Sequence, residues 1–247
     1  MNNFKLQMYL QKRHFLSTRK KFNQTRMSMI ETLKELYPEN TDMYVSEAFG
    51  GGIKSYDAVI MHDILKLFKP QSILEVGSYL GQSSRWILES TKSWNASLVC
   101  VDPNIHHRAF EQPRLVFEHF ALKNNEHRLV YHEAFFADKP LENELTRIYP
   151  HKAKFWAPDP ETKFDLMFID AGHSYEEIKY DFELALNYIK PGGVMMFHDT
   201  YSWKGVGQLM NEIGATTFVP WWYKAGRNFF TRKGYYLDGV GIYIHPK

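Results

Sequence analysis

The sequence has 247 residues, with 30 Lys and Arg against 28 Asp and Glu, 44% hydrophobic residues and one cysteine, Cys100. That apolar content in a chain of this length supports one large core and excludes global disorder, while a lone cysteine excludes an intramolecular disulfide and a cysteine-cluster metal site. No apolar run approaches the ~18 residues of a membrane span, the N-terminus lacks the apolar centre of a secretory signal, and cytoplasmic residence is expected.

Residues 1–30 hold seven basic residues and no acid, leaving 23 basic against 28 acidic residues in the rest. Residues 1–45 read as a basic helical arm that packs on the remaining domain, residues 46–247, through Phe4, Met8, Leu10 and Phe15. Such an arm also suits nucleic acid, an anionic membrane surface or an acidic neighbouring subunit. The helical extension is expected to reach residue 69, with a flexible break at Gly50-Gly51-Gly52.

From residue 70 short apolar runs alternate with amphipathic stretches. Strands are expected at Ser72–Val76, Leu98–Asp102, Leu129–His132, Asp165–Asp170 and Val194–His198; helical material between them argues for βαβ units and a parallel sheet. Residues 150–163, with three prolines, read as a loop. Ser174 and Glu177 form a capping box ahead of a helical stripe of Tyr175, Ile178, Phe182, Ala185 and Ile189. Pro191-Gly192-Gly193 is expected to end that helix. Thr216–Val219 and Gly239–Ile244 are expected to close the fold as a hairpin.

The first strand runs into Gly77, and Gly81 precedes a helix from about Gln82. Small residues there admit a ligand to the backbone, and a helix start offers free N–H groups. Asp102 ends the next strand, where a carboxylate suits a ribose diol. The spacing Glu75-x-Gly77-x-x-x-Gly81 differs from the G-x-G-x-x-G of dinucleotide sites. An acid beside the loop disfavours pyrophosphate and suits a ligand with a cationic amine, as S-adenosylmethionine has.

The stretches ILEVGSYLGQSS, LVCVDPN, FDLMFIDAGHSYEEIKYD and PGGVMMFHDT resemble class I S-adenosylmethionine-dependent methyltransferases. The likeness is to the small-molecule O-methyltransferases of the catechol type and the bacterial macrocin type, and it covers roughly residues 45–245. It implies a Rossmann-like, doubly wound, mostly parallel seven-stranded α/β sheet with an N-terminal helical extension, and a homo-oligomer is the expected assembly. By the resemblance, Glu75, Gly77 and Ser78 line the methionine end of the cofactor. Tyr79 and Ser83 flank it, and Asp102 holds the ribose beside Pro103 and Asn104. Glu133, Ala134 and Phe135 edge the adenine, while Ser46, Glu47, Ala48 and Phe49 lie at the site mouth.

In open parallel sheets ligands sit beyond the carboxyl ends of the strands, so Asp170 and Asp199 should face one crevice. In the catechol-type enzymes these positions and an amide bind a divalent cation; the resemblance implies Mg²⁺ on Asp170, Asp199 and Thr200, with Thr200 standing where the amide would be. His173 falls at the position of a basic lysine and is the expected proton acceptor, with Asp170 beside it. Trp203 is the first choice for acceptor contact among the late aromatics Trp221, Trp222, Tyr223, Phe229, Phe230, Tyr235 and Tyr236, which suit a pocket wall or a core equally. His198 is expected to pack beneath the sheet end. The leading expectation is methyl transfer to a hydroxyl of a small natural product, sugar or phenol. Alternatives are a nucleic-acid or protein methyltransferase that uses the basic arm, and a non-catalytic partner module.

Overall fold

In the computed structural model, which describes residues 3–218 and 238–247 and the side chains from His14 onward, the N-terminus is one helix of 34 residues, α1 (Asn3–Leu36). Its buried positions Thr18, Phe22, Thr25, Met29 and Leu33 recur every three or four residues, the period of a single helical face. Phe22 meets Trp86 edge-on at 5.2 Å, so α1 belongs to the main core. Of the side chains expected to dock it, Phe15 lies 5.9 Å from the Tyr56 ring; Phe4, Met8 and Leu10 lie outside the described side chains.

α2 (Thr41–Gly51) and α3 (Ser55–Phe68) follow, so the expected boundary at 45/46 falls inside α2. The expected break at the three glycines is corrected too: Gly50 and Gly51 are helical and Gly52 alone is the cap. They are small because other groups press on them. A Cβ on Gly52 would stand 2.0 Å from Gln82 Oε1, and one on Gly51 2.8 Å from the Tyr79 ring.

The sheet is built from β1 (Ser72–Val76), α4 (Gln82–Thr91), β2 (Ser97–Asp102), α5 (Pro113–Phe117) and β3 (Leu129–Glu133). β4 (Phe135–Phe136), α6 (Glu144–Ile148) and β5 (Phe155–Trp156) form a small annex in which β4 and β5 pair; the expected loop 150–163 thus contains a short strand. Then come β6 (Phe164–Ile169), α7 (Tyr175–Ala185), β7 (Ile189–Phe197), α8 (Lys204–Glu212), β8 (Thr216–Phe218) and β9 (Val240–Ile244). The strand order is β3-β2-β1-β6-β7-β9-β8. All pairs are parallel except those of β9 with β7 and β8.

The central strands are apolar throughout because both faces are covered. Ile73, Leu98, Leu166 and Val194 face α1, α3 and α4, whereas Leu74, Val101, Met167 and Met195 face α7 and α8. Chain order reverses between β1 and β6, which sit side by side, and such a switch point opens a crevice at the strands' carboxyl ends. One expected stop signal is overturned: α7 ends at Ala185, and Ile189 with Pro191-Gly192-Gly193 belongs to β7. There the backbone pairs with the tail, Gly192 N–H to His245 O and His245 N–H to Gly193 O, each 2.9 Å. The late aromatics between Trp221 and Tyr236 lie outside the described residues.

Candidate active site

A cavity of about 1030 Å³ opens at that switch point. Its floor is the turn from β1 into α4. Gly77 has φ +83, and a Cβ there would fall 2.3 Å from Asp170 O, so only glycine lets the ends of β1 and β6 approach so closely. Ser78 and Tyr79 donate their backbone N–H groups to Asp102 Oδ2, both at 2.9 Å, and Asn104 N–H donates to Oδ1 at 2.8 Å. Asp102 thus pins the loop, and with about four acceptor positions on a carboxylate it keeps capacity for a ligand hydroxyl. Burial raises its pKa, against the pull of those backbone bonds.

Gly77, Ser78, Tyr79, Ser83, Asp102 and Pro103 line this half of the cavity with Phe135 and Ala48. Glu75 does not. On a strand, alternate side chains take opposite faces, and Glu75 lies on the α4 side, fully buried, where Ser84 Oγ donates to it at 2.5 Å and Cys100 Sγ at 3.0 Å. Burial pushes its pKa up to about 7 despite those bonds. Glu133 also turns away, into a shallow surface pocket where it meets Arg114 and Lys152; Asn104 Nδ2 donates to it there. Ala134 is packed into the core. Phe49 faces α1, its ring 3.9 Å beneath the Arg26 guanidinium, Glu47 pairs with Arg108 at 3.4 Å, and Ser46 is exposed.

The other half is built at the ends of β6 and β7. His173 Nε2 lies 2.7 Å from Asp199 Oδ2 and 3.9 Å from Asp170 Oδ1. The Trp203 ring stacks on His173 at 4.9 Å, tilted 27°, and all four side chains line the cavity. Thr200 is not among the residues that line the cavity: its buried hydroxyl has no hydrogen-bond partner and lies beside Gly239, just before β9, where a Cβ would meet it at 2.7 Å. The expected trio Asp170, Asp199 and Thr200 is therefore corrected; His173 completes the cluster.

His198 does more than pack. Its Nδ1 lies 3.2 Å from Asp170 Oδ1 and its Nε2 3.4 Å from Asp57 Oδ2 on α3. Burial opposes a charge on this ring, but the Asp170 carboxylate and the bonds to Asp170 and Asp57 raise its pKa well above the usual imidazole value. Burial likewise opposes charge on His173, and its contacts with Asp199 and Asp170 outweigh it, so that pKa is raised. Asp199 is lowered: burial raises it, while His173, His198 and Lys54 pull it down further.

The sequence matches, over residues 74–200, the family model described as a methyltransferase domain. The chain belongs to this methyltransferase-domain family. No curated protein matches it. Solved structures share the fold. The O-methyltransferase TomG of Streptomyces achromogenes, involved in tomaymycin synthesis and solved with SAM, is 18% identical over 88% of this chain and 90% of that one, with a TM-score of 0.54. A Bacillus cereus O-methyltransferase solved with SAH gives 18%, 87%, 90% and 0.54. The SAH-bound methyltransferase PaMTH1 of Podospora anserina gives 18%, 90%, 88% and 0.51.

Several residues of the methyltransferase cavity were not expected from sequence. Gln82 points both amide atoms into buried space without a partner, as do the Ser78 and Tyr79 hydroxyls. Gln82 stands one position before Ser83 at the start of α4, where the glycine turn and the free helix N–H groups mark both. Lys54 Nζ donates to the carbonyls of Phe49, Gly50 and Gly52 and lies 3.5 Å from Asp238. Asp57 stands 141 residues before His198, and no local pattern marks it.

Proposed function

We propose that this chain is an S-adenosylmethionine-dependent O-methyltransferase that acts on a hydroxyl of a small molecule. One observation carries the reading: a single cavity holds the glycine turn with its Asp102 anchor on one side and the Asp170, His173, Asp199 and Trp203 cluster on the other. The residues present fit the cofactor. Buried polar groups ordinarily have partners, and the lone hydroxyls of Ser78 and Tyr79 and the lone amide of Gln82 provide donors and acceptors for a polar ligand. Two of the solved fold neighbours are O-methyltransferases, which supports the same reading.

When bound, S-adenosylmethionine supplies an electrophilic methyl group on a sulfonium. Gly77, Ser78, Tyr79 and Ser83 would hold it, and Asp102 would accept from its ribose. Asp199, 2.7 Å from His173 Nε2, orients the imidazole, and the neutral ring takes the proton of the acceptor hydroxyl. Trp203 keeps the ring in place by stacking and offers the acceptor an aromatic wall. Mg²⁺ favours a shell of oxygen ligands and waters. The donors here do not fit it, since Thr200 faces away and imidazoles stand against both carboxylates. The lone buried thiol of Cys100 fits a reducing, cytosolic compartment. Among the described residues no helix is long and apolar enough to cross a membrane.

The deciding experiment is calorimetric titration of S-adenosylhomocysteine into the wild type and into Asp102→Ala, with thermal melts of both. Binding to the wild type that is lost in a folded variant supports the reading. No binding to the wild type refutes it.

A further inference from the structure

His198 is 5% exposed and lines the cavity beside the two carboxylates. Its Nδ1 is 3.2 Å from Asp170 Oδ1 and 3.6 Å from Asp199 Oδ1, and its Nε2 is 3.4 Å from Asp57 Oδ2. A ring that meets carboxylates through both nitrogens satisfies them only when both carry protons. Asp57, 1% exposed, accepts the backbone N–H groups of Asp238 (2.9 Å) and Gly239 (3.3 Å). The rear of the imidazole is thereby tied to α3 and the start of β9. Asp199 also sits at φ +60, a costly conformation for a residue with a side chain, kept only where the surroundings enforce it. Here His173 holds one of its oxygens and His198 approaches the other.

We propose that His198 is a positioning residue that serves as a built-in cation: anchored by Asp57, it keeps Asp170 and Asp199 side by side and gives them the positive charge a divalent ion would otherwise bring, so the site works without one. Two carboxylates facing one space repel each other unless a cation stands beside them or one of them takes up a proton. The oxygen expected to complete an ion's shell, Thr200 Oγ1, is absent from the cavity lining and lies buried beside Gly239, just before β9, without a hydrogen-bond partner. The proposal rests on the methyltransferase reading only in naming this place the transfer centre; the carboxylate and imidazole geometry stands by itself.

The test uses the full chain with Mn²⁺ as the probe, read by the electron spin resonance of free Mn²⁺, for wild type, His198→Asn and the double variant His198→Asn/Asp199→Asn. Ring nitrogen shifts of His198 are measured in the wild type at neutral pH, and S-adenosylhomocysteine calorimetry runs in parallel. The proposal expects a doubly protonated His198 ring and wild-type Mn²⁺ affinity no tighter than about millimolar. It also expects affinity at least about tenfold tighter in His198→Asn, lost again in the double variant. A neutral His198 ring, micromolar Mn²⁺ binding by the wild type, or a folded His198→Asn chain with no gain in affinity overturns it. If His198→Asn does not fold, the two wild-type measurements decide. Failure of S-adenosylhomocysteine to bind strikes the proposed function and leaves the cation result standing.

Discussion

At His173 the position of the proton decides the chemistry. Its pKa lies above the ordinary 6.5 because Asp199 and Asp170 favour the charged ring more than burial opposes it. A base works in its neutral form, so turnover is expected to climb as pH rises past 6.5 and to level off above the raised value. His173→Gln should lower kcat by about 10²- to 10⁴-fold while affinity for S-adenosylhomocysteine stays unchanged; an unaltered pH profile would remove His173 from this role. Glu75 makes the opposite kind of prediction, about stability. Its folded pKa is raised from 4.5 to about 7, so the folded state holds the proton more tightly than the unfolded chain does. Its stabilisation is full below pH 4.5 and is lost as pH rises toward 7, by about 3 kcal/mol. Glu75→Gln should therefore flatten the fall in melting temperature between pH 5 and pH 8. A parallel fall in both proteins would show that Glu75 does not set that slope.

At the scale of elements, the turn between β1 and α4 matters most, because it joins cofactor side to acceptor side. Gly77→Ala places a methyl group against Asp170 O at a φ of +83. A loss of stability of at least about 1–3 kcal/mol is expected, together with loss of S-adenosylhomocysteine binding; calorimetry and a melt on one sample check both. The cap of α7 shows an element legible from sequence: Ser174 accepts from Glu177 N–H, and the Glu177 side chain accepts in return from Ser174 N–H. The end of the same helix shows the limit. Ile189 fits the helical stripe, yet its partner is Phe164 on β6, and a strand partner 25 positions upstream leaves no local trace.

At the scale of the molecule, α1 is where charge pattern and packing disagree. Its basic, acid-free start suggests a separable arm, but Phe22, Met29 and Leu33 are buried with Trp86 in the main core. Truncating each such side chain costs about 2–5 kcal/mol, against about 5–15 kcal/mol for a whole domain. A chain starting after Leu36 is expected to lose its cooperative melt, followed by circular dichroism. A sharp, wild-type-like transition would restore the arm as an independent unit.

The sequence by itself determined the seven strands of the main sheet, the glycine turn with Asp102, and the convergence of Asp170, His173 and Asp199. Each follows from local periodicity or from the rule that strand ends in an open parallel sheet share one crevice. Only the tertiary structure decided which way side chains at those ends turn. Glu75, Glu133 and Thr200 occupy the expected positions in the chain, but strand pleat and neighbours place them in the core, in a side pocket and beside Gly239. It also brought Asp57 to His198, a contact between distant segments that exists only once α3 is packed on the sheet.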